Sequence, residues 1–270
     1  MSKQLLSCMK ANWIFYLRNK LLLLIVTALV LVWGLFTFPS IFMISIRQKF
    51  EIIISLMLQT SWFINILVSA LGMLNLSYNL NQRCYKMVVT KPCRPETWLL
   101  ANFLSAMAAA VILHALLFAC CSLLFMVWKI PYQWGLLYIS FDGLARSAIL
   151  FSVLTMLAAL IHPFIAILFM LILSERTFYM FILWTSASIK NATIPFQRFI
   201  LLIQKYVLYG VYIALPSYTP LSEKTDKIYQ SLKVNISDLR YIAGILIYSL
   251  VISTMCYFII DISLKHRRLT

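Results

Sequence analysis

Long apolar runs separated by short polar, basic stretches set the pattern of the chain. The first run extends from about Leu21 to Phe38 and is closed by Pro39; a loop with Arg47, Lys49 and Glu51 follows. Further runs cover about Ile52–Leu76, Trp98–Val127 and Leu144–Ile161, and a fifth begins at Phe164 after His162-Pro163. The last covers about Tyr241–Ile260 and ends in Lys265, His266, Arg267 and Arg268. A bilayer core about 30 Å thick takes about 20 apolar residues of helix. A backbone in hydrocarbon must satisfy its own hydrogen bonds, which makes helices the default. The dyad alternation of a membrane β-barrel is absent.

Two regions depart from this pattern. In residues 2–20, Leu5, Met9, Trp13 and Leu17 recur at helical spacing among Lys3, Lys10, Arg18, Asn19 and Lys20. This predicts an amphipathic helix in the membrane interface, with Trp13 and Tyr16 at headgroup level. The segment 185–240 mixes apolar patches with seven basic residues, and Pro216 and Pro220 bracket a turn. Phe199–Leu215 is a candidate for a seventh span, but Lys205 in its interior favours a re-entrant or interfacial element. The expected architecture is all-α and integral to the membrane. It has six transmembrane helices, an N-terminal interfacial amphipathic helix and a re-entrant segment before the last helix. Residues 1–270 form a single transmembrane domain, with 185–240 as its external, re-entrant part.

Composition agrees. Hydrophobic residues make up 63% of the chain and charged residues 11%, against about 25% charged in soluble domains. The net charge of +15 is scattered at the ends of apolar runs, which points to anionic lipid headgroups and not to nucleic acid. Six cysteines form no disulfide framework. Cys120 and Cys121 are adjacent inside an apolar run, and Cys84 and Cys93 lie in a basic loop expected to be cytosolic and reduced. Basic residues also orient the chain. Four Lys and Arg at the start, four in 79–97 and three in the tail place both termini in the cytosol of a multi-pass cell-membrane protein.

Several chemistries lack their residues. None of the six glycines precedes Lys, so no P-loop can cradle ATP phosphates. His114, His162 and His266 are far apart and no HExxH occurs, which disfavours an intramembrane zinc protease. No row of arginines resembles a voltage sensor. Asn75, Asn191 and Asn235 head N-x-[ST] triplets that are common by chance. Charges inside spans are functional candidates. Glu175 and Arg176 are such a pair, about 100° apart on a helix. Asp142 and Arg146 are spaced to pair on one helix face. His114, among apolar neighbours, reads as a helix–helix hydrogen-bond group.

The segment 79–97, NLNQRCYKMVVTKPCRPET, carries Arg83, Lys86, Thr90, Lys91, Pro92, Arg94 and Glu96 between two spans. It reads as a short cytosolic element facing a soluble partner, with Glu96 opening the next helix. It resembles the coupling loop of type-2, exporter-like permeases of ABC transporters, where a coupling helix precedes a T-K-P-x-x-R-like turn into the third span. Thr90, Lys91, Pro92 and Arg94 match that turn loosely. The leading amphipathic helix, the six spans, Leu215-Pro216-Ser217 and the basic tail are similar to the family in order. Where the family often has an acidic residue and Gly-Thr, this chain has Arg83, Cys84 and Tyr85.

The resemblance implies the permease subunit of an ABC transporter, forming the membrane pathway for ATP-driven export. The chain itself would be no enzyme and carry no cofactor. ATP and Mg would sit on separate ATP-binding cassette subunits, coupled through Arg83, Lys86, Thr90, Lys91, Pro92, Arg94 and Glu96. A second permease, identical or related, and the lipid bilayer would be its other partners. The alternatives are a non-transporting membrane assembly or sensor subunit and an integral membrane enzyme using Glu175 or Asp142.

Overall fold

The computed structural model describes residues 2–18, 46–81, 95–166, 175–191, 194–214 and 236–269. Seven helices stand out: α1 (Ser2–Arg18), α2 (Ile46–Asn81), α3 (Pro95–Val127), α4 (Gly135–Leu160), α5 (Glu175–Asn191), α6 (Pro195–Ala214) and α7 (Ile236–Leu269). Among the described residues there is no strand. Four of the helices, α2, α3, α4 and α7, are long and apolar enough to cross a membrane. The described part of the protein is therefore all-helical, with four helices suited by length and composition to a membrane. The expected first span, 21–38, and most of the fifth lie outside the described residues.

α2, α3 and α4 form the core, with α7 packed along α4. Residue pairings give the helix directions. Phe50 meets Phe125 at one end of the α2–α3 pair, and Asn75 meets Asn102 at the other, so these two helices are antiparallel. α4 runs with α2: Gly143 abuts Ser61, and Phe151 abuts Gly72. α7 also runs with α4, because the Ser253 hydroxyl donates to the Ala148 carbonyl while Ile260 clusters with Ala159. Glycine permits the two close approaches. A Cβ at Gly72 would enter the Phe151 ring, and one at Gly143 would collide with Ser61 and His114.

The turn from α3 to α4 is built locally. Ile130 N donates to Phe125 O and Lys129 N to Met126 O, the two bonds of a Schellman cap. Ile130 and Phe125 both join the main core cluster, which supplies the hydrophobic contact of that motif. Lys129 takes the left-handed position, with φ 55°. At the other end of α4 the expected break is present. The helix stops at Leu160, the His162 carbonyl accepts from Ala166 N, and Phe164 N donates to the ring Nδ1 of His162.

α1 is helical as expected, and its aromatic turn packs on the protein. Tyr16 is only 2% exposed and clusters with Leu67 and Leu71, whereas Trp13 is half-buried. α1 lies along α3 in the same direction, with Asn12 beside Ser105 and Tyr16 beside Ala109 and Leu113. A polar anchor on this face, Asn12, finds partners on α2 and α3 and draws the following aromatic turn into the protein.

Candidate functional site

Two buried polar clusters occupy the α1–α4 bundle. In the first, three asparagines from three helices meet. Asn75 donates one amide hydrogen to Asn12 Oδ1 at 2.9 Å and the other to Asn102 Oδ1 at 3.2 Å. Asn12 donates in turn to Ser105 Oγ at 3.4 Å, and Asn102 to the Gly72 carbonyl at 3.5 Å. Asn12 is 4% exposed. The Tyr16 hydroxyl faces Asn75. Burial pushes the Tyr16 phenol well above the ordinary tyrosine range, so it stays neutral. An apolar crevice of about 20 Å³, lined by Trp13, Tyr16, Leu71 and Leu113 among others, adjoins it.

The second cluster surrounds His114, which is 1% exposed. Its Nδ1 lies 2.9 Å from the Ala110 carbonyl and its Nε2 3.1 Å from Ser61 Oγ. A proton on Nδ1 satisfies the carbonyl, which leaves Nε2 to accept from the Ser61 hydroxyl. The Asn65 amide, with its NH2 turned toward them, donates to the Ser61 and Gly143 carbonyls at 3.1 Å each, and Ser147 Oγ closes on the same amide. A hydroxyl bonded to an imidazole is the geometry of an activated nucleophile. Here Ser61 and His114 are both buried and Gly143 presses on them, so a substrate has no approach. The arrangement acts as a clamp across α2, α3 and α4. Among the described residues no three His, Cys, Asp or Glu side chains group closely enough to hold a metal ion.

Of the residues singled out from sequence, Asp142 and Arg146 form the expected pair, Nε to Oδ2 at 3.0 Å, with Asp142 buried and Arg146 41% exposed. His114 makes the expected helix–helix bond. Glu96 sits exposed in the first turn of α3, where a carboxylate complements the helix dipole. Glu175 and Arg176 open α5; their side chains lie outside what is described. Arg83, Lys86, Thr90, Lys91, Pro92 and Arg94 lie outside the described residues. Asn75 heads a glycosylation triplet but is buried, so this asparagine is closed to modification in the folded chain.

Sequence reasoning passed over Asn12, Asn65, Asn75, Asn102 and Ser105. Asparagines inside apolar runs were the available signal, since such side chains hydrogen-bond across helices in membranes. No protein family, curated protein or solved structure matches the chain.

Proposed function

We propose that this chain is the permease subunit of an ABC transporter. It would form the membrane pathway for export of a substrate, with ATP hydrolysed on a separate P-loop subunit. One observation carries the reading. α2 and α3 are long, apolar and antiparallel, and asparagines tie them together two turns from the ends that flank 82–94. That segment holds Arg83, Lys86, Thr90, Lys91, Pro92 and Arg94, with Glu96 just beyond, the residues that resemble a coupling loop. A partner pressing on 82–94 would move two tied helices together, and ATP-driven motion would shift the balance between two membrane states.

Helix direction supports six spans, and the basic residues of 79–97 and of the tail are the reason to place both termini in the cytosol. α4 and α7 point the same way. If both cross the bilayer, the chain between them crosses an odd number of times. One crossing that includes α5, with α6 re-entrant or interfacial, meets this condition; crossings by both α5 and α6 do not. The α1–α3 crevice, at about 20 Å³, has room for about one water. This crevice is too small to be the pathway, and the reading places the pathway between this chain and a second permease.

The test is purification of the tagged chain from its native membrane in mild detergent. A stoichiometric subunit with a P-loop is expected. Its absence, from a preparation that keeps other membrane complexes intact, would replace the transporter with the assembly or sensor subunit. Charge reversal at Lys91 and Arg94 together should then abolish the co-purification or uncouple ATP hydrolysis from transport. Unchanged binding and unchanged coupling would remove 79–97 from the coupling role.

A further inference from the structure

We propose that Arg146, held by Asp142 in the wall of the bundle, is a binding site for a phosphate group that reaches it from the Gly135 end of α4. The proposal rests on α4 crossing the bilayer and stands apart from the transporter reading.

Of the four long apolar helices, α4 is the most deeply packed. Arg146 is the twelfth of its 26 residues, about 16 Å along the axis from Gly135. A helix of that length overshoots a hydrocarbon core of about 30 Å by only a few ångströms at each end, so the Arg146 backbone lies at hydrocarbon depth. The side chain is nevertheless 41% exposed. Charges at this depth face polar partners or water-filled cavities as a rule, and they mark ligand and ion paths.

Asp142 sets where the guanidinium lies. Its carboxylate is 4% exposed and accepts from Arg146 Nε at 3.0 Å. Asp142 comes one turn earlier, so the bond draws the side chain back toward Gly135, the direction in which helical side chains lean. The guanidinium then sits about 11 Å from the helix start. From there a basic side chain reaches toward the headgroup layer. Asp142 marks the buried side of the guanidinium, and a ligand approaches from the exposed side. A planar fork of N–H donors matches phosphate oxygens two at a time. Without an anion the pair is neutral in sum, which spares the hydrocarbon a net charge.

The neighbouring wall suits the rest of a lipid. Ala145 and Ile149, before and after Arg146, cluster with Ile245 of α7, and the half-buried Tyr248 packs on the same cluster. An acyl chain lying along this part of α7 can bring its headgroup phosphate to Arg146. A phosphate-bearing solute offers the same oxygens without the chain.

The test is native mass spectrometry of the full chain released from nanodiscs of phosphatidylglycerol and phosphatidylcholine. Arg146→Gln alone would strand the buried Asp142 carboxylate, which is costly, so the variant combines Asp142→Asn with Arg146→Gln. Its affinity for one retained phosphatidylglycerol should fall about tenfold or more, through loss of charge-assisted hydrogen bonds. Arg146→Lys keeps the charge and loses the fork. It should bind that lipid less tightly than the wild type, and it takes the place of the double variant if that does not assemble. Arg240→Gln removes an exposed charge at the same end of the bundle and should leave the lipid in place. Displacement of the lipid by millimolar inorganic phosphate would support the site with a soluble phosphate as its ligand. A lipid that withstands phosphate in the wild type and is lost in the double variant would support it with phospholipid as its ligand. Undiminished retention in both Arg146 variants would overturn the site and leave Asp142 and Arg146 as a structural pair. An equal loss in Arg240→Gln would also overturn it, by reducing the effect to general attraction between a basic surface and anionic lipid.

Discussion

Single positions in this protein are decided by space and backbone angle. Lys129 holds a left-handed conformation, φ 55°, that costs an L-residue about 1–2 kcal/mol and glycine almost nothing. Lys129→Gly should raise stability by up to about 1 kcal/mol, after allowing for glycine's extra freedom in the unfolded chain. Unfolding of the purified protein in detergent measures this, and a loss of stability would mean that the lysine side chain contributes more than its backbone angle costs. Glycine matters in the opposite sense at 143. Gly143→Ala would drive a methyl into Ser61 and His114, and overpacking of this kind costs about 1–3 kcal/mol. Gly244, on α7, faces open space, so Gly244→Ala should be close to neutral or slightly stabilising. Equal effects at the two glycines would contradict the close approach of α4 to the His114 cluster.

Between helices, the two polar clusters do different work. Asn75 spends both amide hydrogens on neighbouring helices, whereas His114 keeps one nitrogen on its own helix and gives one to Ser61. Interhelical hydrogen bonds in membranes average about 0.6 kcal/mol and reach about 2. Asn75→Leu should therefore cost about 1–2 kcal/mol and Ser61→Ala about 0.6 kcal/mol, read as denaturant-induced unfolding in mixed micelles. The reverse order would make the His114 cluster the main tie. How far these ties could be foreseen follows from the kind of signal each leaves. Runs of apolar residues are long-range and unambiguous, so α2, α3, α4 and α7 were legible as spans. The Asp142–Arg146 pair was legible because both residues share one helix. Asn12, Asn75 and Asn102 were not, because 63 residues separate the first two in the chain and nothing local announces that their helices meet. The inward turn of Tyr16 was missed for the same cause: amphipathic spacing gives a polar and an apolar face, but not whether lipid or protein covers the latter.

At the scale of the whole molecule, helix direction is the property that constrains most. α2, α4 and α7 point one way and α3 the other. The turn at Gln133–Trp134 and the start of α7 near Arg240 thus lie at one end of the bundle. The break at His162 lies at the opposite end, together with the tail of α7. Single cysteines at Trp134, His162 and Arg240, all exposed, convert this geometry into a labelling pattern. In sealed vesicles of a cysteine-free background, an impermeant maleimide should react with positions 134 and 240 from the same side and with 162 only from the other. The four helices could be long enough to span and still fail this test, because length says nothing about direction. Labelling of 162 and 240 from one side would mean that α4 and α7 do not both cross, and would remove the odd-crossing argument for six spans. Agreement would leave the stretch between His162 and Arg240 to carry a net single crossing. α6 carries Arg198 and Lys205 within its 20 residues. A full crossing would put Lys205, the eleventh of those residues, near the centre of the hydrocarbon at about 2.5–3.5 kcal/mol, whereas a position in one leaflet leaves both charges within reach of headgroups.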